Sequence, residues 1–150
     1  MKTKILALLL LPFLLAACAT PITHNTPSGR PEVTISGVKK SVVRERLTDE
    51  MLNKGYTIAQ SGDSLIVFEH AIDNAMVAFM FSTKFNSTPI ARISYSLSET
   101  KKGIRIIADC NAVSNPGSGF EQKTSLNNNR DTMAVQNFLT TLQTSMKSKK

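Results

Sequence analysis

The sequence has little of what metal sites and catalytic centres are built from. Its 150 residues include two cysteines, two histidines and no tryptophan. Glu69, His70 and Asp73 lie close together along the chain, but no His-x-Glu or Cys-x-x-Cys spacing accompanies them, so we expect a solvated strand end and no metal. His70 is the only plausible base for a nucleophile, and no Gly-x-Ser-x-Gly motif is present. Asp109 and Glu121 could act as a catalytic pair of carboxylates if their strands pair. Otherwise we expect no catalytic residue and no cofactor.

The shortage of cysteine also excludes an intramolecular disulfide once Cys18 is used as described below. The other thiol, Cys110, falls in a strand pattern, and we expect a small buried side chain rather than a reactive group. The formal net charge is +7, but the cations are dispersed and tryptophan is absent, so no nucleic-acid binding is expected. For the C-terminal lysines we prefer helix termination and solubility; contact with anionic head groups is the alternative.

The one long apolar run stands at the amino terminus. Lys2 and Lys4 precede the run Ile5–Leu15, and Ala16 and Ala17 follow it. This cationic, apolar and small-residue order is typical of a secretory signal. The run is shorter than the roughly 20 residues that cross a bilayer, so we do not expect a spanning helix.

The order Leu15, Ala16, Ala17, Cys18 resembles the lipobox of bacterial lipoproteins. The resemblance implies that a signal peptidase recognises the first three residues and cuts before Cys18. It also implies a diacylglyceryl group on the Cys18 sulfur, whose thiolate is a good nucleophile, and an acylated amino terminus. Two or more acyl chains anchor a protein stably. Ala19, where Asp would favour the inner membrane, implies an outer-membrane anchor with the domain facing the periplasm.

Three regions are therefore predicted: a signal peptide at 1–17, the lipidated Cys18 with a flexible tether at 18–31, and a single domain at 32–150. The tether ATPITHNTPSGRP contains three prolines and five Ser, Thr or Asn residues, a composition that cannot bury a core. At full extension it would let the domain stand about 40 Å from the bilayer. His24 within it is expected to be solvated.

Periodicity predicts an α+β domain. Strands are expected at 32–36, 56–60, 64–70, 90–99, 104–113 and 120–126, main helices at 38–54 and 130–146, and a short helix within 71–81. The expected helix stripes are Val43, Leu47 and Met51, widened by Val42 and Leu52, and Val135, Phe138, Leu139, Leu142 and Met146. Short connections predict a mostly antiparallel sheet of five to six strands packed against two main helices.

This order of elements is similar to helix-grip domains, in which a curved antiparallel sheet grips a long C-terminal helix. The segments GYTIAQSGDSLIVFEH (55–70) and RIIADCNAVSNPGSGFEQ (105–122) resemble small lipoproteins with BamC-like helix-grip domains. The likeness covers residues 31–146 and implies a role in the cell envelope. It transfers no active-site residue.

The leading functional hypothesis is a non-enzymatic interaction or envelope-assembly module with an envelope protein as its partner. The candidate partner surface is any exposed edge strand and the loop residues Ser114, Asn115, Pro116, Gly117 and Phe120. The alternative is a carrier of a lipid or other apolar ligand between the sheet and the C-terminal helix. Its cavity would be lined by Met76, Phe79, Met80, Met133 and Phe138, which equally well fill a core.

Labelled palmitate should enter the mature protein, because the lipobox predicts acylation of Cys18. Cys18→Ser should stay unprocessed and lose the label, whereas Cys110→Ser should keep it. The measurement is autoradiography of the immunoprecipitated protein from fractionated cells. A mature protein without label, or Cys18→Ser processed and membrane-bound as before, would contradict the lipobox assignment.

Overall fold

The computed structural model describes residues 23–72 and 89–147. The predicted signal peptide, the lipobox Leu15–Cys18 and most of the helix expected within 71–81 lie outside these residues. Within the described ranges, no helix is long and apolar enough to span a membrane.

The described residues form six strands and two helices. In chain order they are β1 (Glu32–Ile35), α1 (Lys40–Asn53), β2 (Thr57–Ser61), β3 (Leu65–Ala71), β4 (Ile90–Thr100), β5 (Gly103–Ser114), β6 (Gln122–Ser125) and α2 (Thr132–Lys147). The strands make one sheet in the order β1-β5-β4-β3-β2, with β6 also on β5, and every pairing is antiparallel. The predicted α+β class, a mostly antiparallel sheet of five to six strands packed against two main helices, is confirmed, and the described sheet has six strands.

The long β4–β5 hairpin forms the centre of the sheet and sets large side chains opposite small ones. Ile93 faces Cys110, and Tyr95 faces Ala108. The small side chains leave space above the sheet that helix side chains fill. The following residues of the face toward the helices are buried: Ile93, Tyr95, Leu97, Ile104, Ile106, Ala108, Cys110 and Ala112. Ala91, on the same face of β4, is half-buried.

Tyr95 connects the sheet to both helices and is 1% exposed. Its hydroxyl donates to Met51 Sδ of α1 at 3.5 Å. Its ring meets Phe68 of β3 and Phe138 of α2 edge-on, with centroid distances of 6.0 and 6.5 Å. Burial raises the pKa of Tyr95 well above its usual value, so the hydroxyl stays a neutral donor. Such aromatic pairs stabilise by about 0.5–1.5 kcal/mol beyond the area they bury.

Helix α1 covers the sheet with one narrow row of side chains. Val43, Leu47 and Met51 are buried, as predicted. Val42 and Leu52, which were expected to widen this row, are 47% and 46% exposed, so that prediction is wrong. Because successive residues turn by about 100° around a helix, these two lie about 140° to either side of Leu47 and point away from the sheet.

Helix α2 packs on the same face through the predicted stripe. Leu139 and Leu142 are buried, and Val135, Phe138 and Met146 are partly buried against the core. Both helices therefore share one side of the sheet, and the other side carries the polar alternate residues of β4 and β5.

Two glutamines of α2 bond to the outer edge of β1. Gln136 accepts from the Glu32 backbone N–H at 2.8 Å and donates to the Glu32 carbonyl at 3.2 Å. Gln143 donates to the Thr34 carbonyl at 2.6 Å. These backbone groups would otherwise be unpaired at the sheet edge. Helix α2 thus closes this edge to another strand.

The segment 23–31, which the sequence assigned to a tether, lies against the domain. His24 is 6% exposed, and Pro31 is buried. The backbone N–H of Ser28 donates to the Glu32 carboxylate at 3.2 Å. The prediction of a solvated His24 is wrong, because a composition rich in Pro, Ser and Thr disfavours a core but does not prevent single side chains from docking.

The turn before β5 brings Gly103 against β1. Its φ is +129°, and a Cβ there would lie 2.2 Å from the carbonyl oxygen of Ile35. Any other residue would have to move backbone atoms of β1. Glycine is therefore required on steric grounds as well as by its dihedral angle.

Gly103→Ala should lower the free energy of unfolding by about 2–5 kcal/mol, because a strained φ and a backbone clash coincide. Gly117 has φ +72°, but a Cβ added there would have nothing within 4 Å. Gly117→Ala should therefore lower the free energy of unfolding by about 1–2 kcal/mol. Gly119→Ala, with no neighbour within 4 Å, should be close to neutral. Urea unfolding of the three variants in a Cys18→Ser mature chain measures this. Equal midpoints for Gly103→Ala and Gly119→Ala would contradict the close approach.

Candidate interaction surfaces

The predicted partner loop connects β5 to β6. Ser114 and Asn115 are 7% and 6% exposed and offer little surface to a partner. Pro116 is half-buried and Gly117 is exposed. Phe120 is 71% exposed, the largest value among the large hydrophobic side chains of the described residues. The accessible part of this loop is therefore its second half.

Ion pairs hold this loop against the polar face of the sheet. Arg92 of β4 lies 2.6 Å from Glu69 Oε1 of β3 and 2.6 Å from Glu121 Oε1. Glu121 Oε2 also accepts the backbone N–H of Gly117 at 3.0 Å. The hydrogen bonds from Arg92 and Gly117 lower the pKa of Glu121 to about 2. Charge-assisted bonds thus fix both ends of the turn.

The carboxylates considered for catalysis have separate partners. Asp109 lies 3.4 Å from Arg30 Nη1 and accepts from the Asn127 amide at 2.7 Å. Burial raises the pKa of Asp109, but the hydrogen bonds from Asn127 and its other neighbours outweigh burial and lower it. Glu121 is bound by Arg92. A general acid needs a raised pKa, and both of these carboxyls are shifted the other way.

At the predicted strand end, Glu69 and His70 each contact another group of the described residues. Glu69 is engaged by Arg92. His70 Nδ1 donates to the carbonyl of the next residue at 2.6 Å, and its ring lies 5.0 Å from that of Tyr56. Asp73 lies outside the described residues. Within residues 23–72 and 89–147, no three His, Cys, Asp or Glu side chains are grouped to hold a metal.

Cys110 is buried, as predicted from its strand pattern. It is 4% exposed, and burial raises its pKa to about 12. At neutral pH the reactive thiolate is therefore almost absent.

A groove between α1 and α2 was not predicted from the sequence. It consists of adjoining cavities of about 560, 320 and 170 Å³. Arg46 and Ser145 line both the first and the second, and Lys54 and Phe138 line both the second and the third, so the three are continuous. Its apolar lining includes Val38, Val42, Tyr95, Val135, Phe138 and Met146. We refer to this feature as the interhelical groove.

The rim of the interhelical groove has an excess of positive charge. Arg46 pairs with Glu50 one turn further along α1 at 2.7 Å. Lys54 Nζ lies 5.5 Å from the centre of the Phe138 ring, a cation–π distance. Lys147 lines the end of the groove. Three cations and one carboxylate suit a ligand that combines apolar side chains with negative charge.

At the opposite edge of the sheet from β1, strand β2 has no strand partner among the described residues on its outer side. All five residues of β2 are exposed. A bulge between Ile58 and Gln60 interrupts its register with β3, a feature that discourages indiscriminate strand pairing. This edge offers a second accessible surface.

No model of a described protein family matches the chain, and no curated protein matches its sequence.

Glu121→Gln should lower the free energy of unfolding at pH 7 by about 1–2 kcal/mol, because it removes a charge-assisted bond. Folding lowers the pKa of Glu121 from 4.5 to about 2, so the wild-type carboxylate stabilises above pH 4.5 and loses this effect as the pH falls toward 2. The variant should therefore show a flatter pH dependence in that interval, measured by urea unfolding at several pH values.

The matched control is Lys123→Gln, since Lys123 lies 3.5 Å from Glu121 but is 58% exposed. Its effect should stay within about 0.5 kcal/mol. Parallel pH curves for wild type and Glu121→Gln would contradict the assigned role of the Arg92 network.

Proposed function

We propose that this chain is a membrane-anchored lipoprotein whose domain is a non-enzymatic interaction or assembly module of the cell envelope. The anchor is the lipidated Cys18, the membrane is the outer membrane, and the domain faces the periplasm. The observation that carries the interaction role is the interhelical groove, which supplies a continuous binding surface on a rigid scaffold.

The proposed occupant of the groove is a segment of an envelope protein that carries apolar side chains and at least one carboxylate. Val42 is 47% exposed and lines the widest cavity, so an apolar side chain can be buried there. Arg46 and Lys54 stand on the rim, where a carboxylate would find cations. Peptide recognition commonly combines such apolar anchors with complementary charge.

A non-enzymatic role is supported by the state of the reactive groups. Asp109 and Glu121 are paired with arginines. Cys110 is buried with a raised pKa. His70 is engaged by a backbone carbonyl. Each of these described groups is either bound by another group or buried, which favours a binding role over catalysis.

The carrier alternative receives less support. The part of the interhelical groove between the sheet and α2, lined by Tyr95, Val135 and Phe138, measures about 170 Å³, whereas small-molecule sites usually measure about 300–1,000 Å³. The larger parts of the groove are lined by the two helices and the segment before α1 and not by the sheet strands. Met133 is 40% exposed and is not a core residue. Met76, Phe79 and Met80 lie outside the described residues. Native mass spectrometry of the purified protein tests the alternative, since a co-purifying lipid would support it.

A photo-crosslinking amino acid at Val42 should capture the same envelope protein reproducibly in intact cells. The control is position 52, because Leu52 is equally exposed at 46% but lies ten residues further along α1 and lines none of the cavities of the groove. Arg46→Glu should reduce the yield of the Val42 crosslink severalfold, because its carboxylate would repel the partner's carboxylate at the rim of the groove. Equal capture at both positions, or none at Val42, would contradict the groove as the binding site. A third probe at Phe120 tests the loop surface separately.

A further inference from the structure

His24 binds the segment before β1 to the amino-terminal end of α2. Its Nε2 lies 2.8 Å from Thr132 Oγ1. The Thr132 hydroxyl also lies 2.6 Å from the carbonyl oxygen of Asn129, which can only accept, so the single hydroxyl hydrogen goes to that carbonyl and the imidazole N–H donates to Thr132. Burial lowers the pKa of His24, which favours the neutral ring, and the tautomer protonated at Nε2 supplies this donor.

The docking of His24 shortens the stretch between lipid and domain. Only residues 19–23 separate Cys18 from His24. Six steps of at most about 3.3–3.6 Å carry the chain about 20 Å, half of what the full tether of residues 18–31 would reach.

The domain has two distinct ends. At the His24 end lie Thr132 and the β5–β6 loop. At the lysine end, Lys102 sits in the β4–β5 turn, where its carbonyl accepts from the Ser36 hydroxyl at 2.7 Å. Ser36 and Lys147 line one cavity, so the last turn of α2 is at the same end.

The two ends differ in their surface chemistry. Lys39, Lys101, Lys102 and Lys147 are exposed at or beside the lysine end. At the His24 end, Met133 is 40% exposed and Phe120 is 71% exposed. The His24 end also exposes Lys123, Arg130 and Asp131, so its surface combines apolar side chains with charges of both signs. The lysine end presents strongly hydrated ammonium groups.

Tether length decides which end can meet the bilayer. Helix α2 runs between the ends with 16 residues, about 24 Å at 1.5 Å per residue. For the lysine end to rest on the bilayer, the chain from Cys18 would have to pass along the whole of α2, which exceeds its reach of about 20 Å. We propose that the His24 end of the domain meets the lipid surface that holds Cys18, and that the lysine end and the widest part of the interhelical groove face away from it. This rests on the proposed lipid anchoring.

The test uses the full lipidated protein in vesicles of neutral phosphatidylcholine that contain a head-group-labelled quencher. A fluorophore is attached at Met133→Cys or at Lys102→Cys, and Cys110 stays unlabelled because it is buried. Because the two ends are about 24 Å apart along α2, quenching should be roughly threefold stronger at position 133 than at 102. Equal quenching, or stronger quenching at 102, would overturn the orientation.

A second variant carries twelve Gly and Ser residues inserted after Ile22, which leaves the His24 contact intact and lengthens only the tether. It should lose most of the difference between the two positions. If the difference persists undiminished, tether length does not set the orientation, and that part of the inference is wrong.

Flotation of the same samples separates the two proposals. Protein that fails to float with vesicles refutes lipid anchoring and the orientation together. Protein that floats but shows reversed quenching refutes the orientation alone.

Discussion

The packing of Tyr95 is the contact on which the two-layer arrangement depends. Its ring and hydroxyl meet Phe68 of β3, Met51 of α1 and Phe138 of α2, so one side chain sets the height of both helices above the sheet. The small residue opposite, Ala108, makes room for this. Met51 of α1 and Phe138 of α2 both contact Tyr95, and the interhelical groove is the space between the two helices.

Much of the fold could be predicted from the sequence because its strands alternate cleanly. In β4 and β5 every second residue is apolar, and the inner face followed directly from that pattern. The α1 stripe at Val43, Leu47 and Met51 could be predicted in the same way, from its four-residue spacing. The errors at Val42 and Leu52 arose because an apolar residue adjacent in sequence was taken to be adjacent on the helix surface.

The candidate surfaces were less predictable because they depend on contacts between distant residues. Arg46, Glu50 and Lys54 recur at four-residue spacing beside the apolar row of α1, and this pattern could have indicated a polar rim. Nothing local indicates that α2 lies across from it. His24 is a clearer case: its partner Thr132 is 108 residues away, and composition alone describes only the average behaviour of the segment around it. The loop Ser114–Phe120 was placed correctly as a connection, but its tie to Arg92 required the register of three strands.

The burial of Cys110 has a consequence for the order of events during folding. The raised pKa belongs to the folded chain alone, and an unfolded chain entering an oxidising compartment would expose an ordinary thiol. Cys110 pairs with Ile93 across the β4–β5 hairpin, whose strands are joined by the two residues Lys101 and Lys102, but its side chain belongs to the core cluster that Leu47 of α1 and Leu139 of α2 complete. The thiol is therefore fully shielded only when both helices have packed on the sheet, and oxidation of the unfolded chain competes with that step.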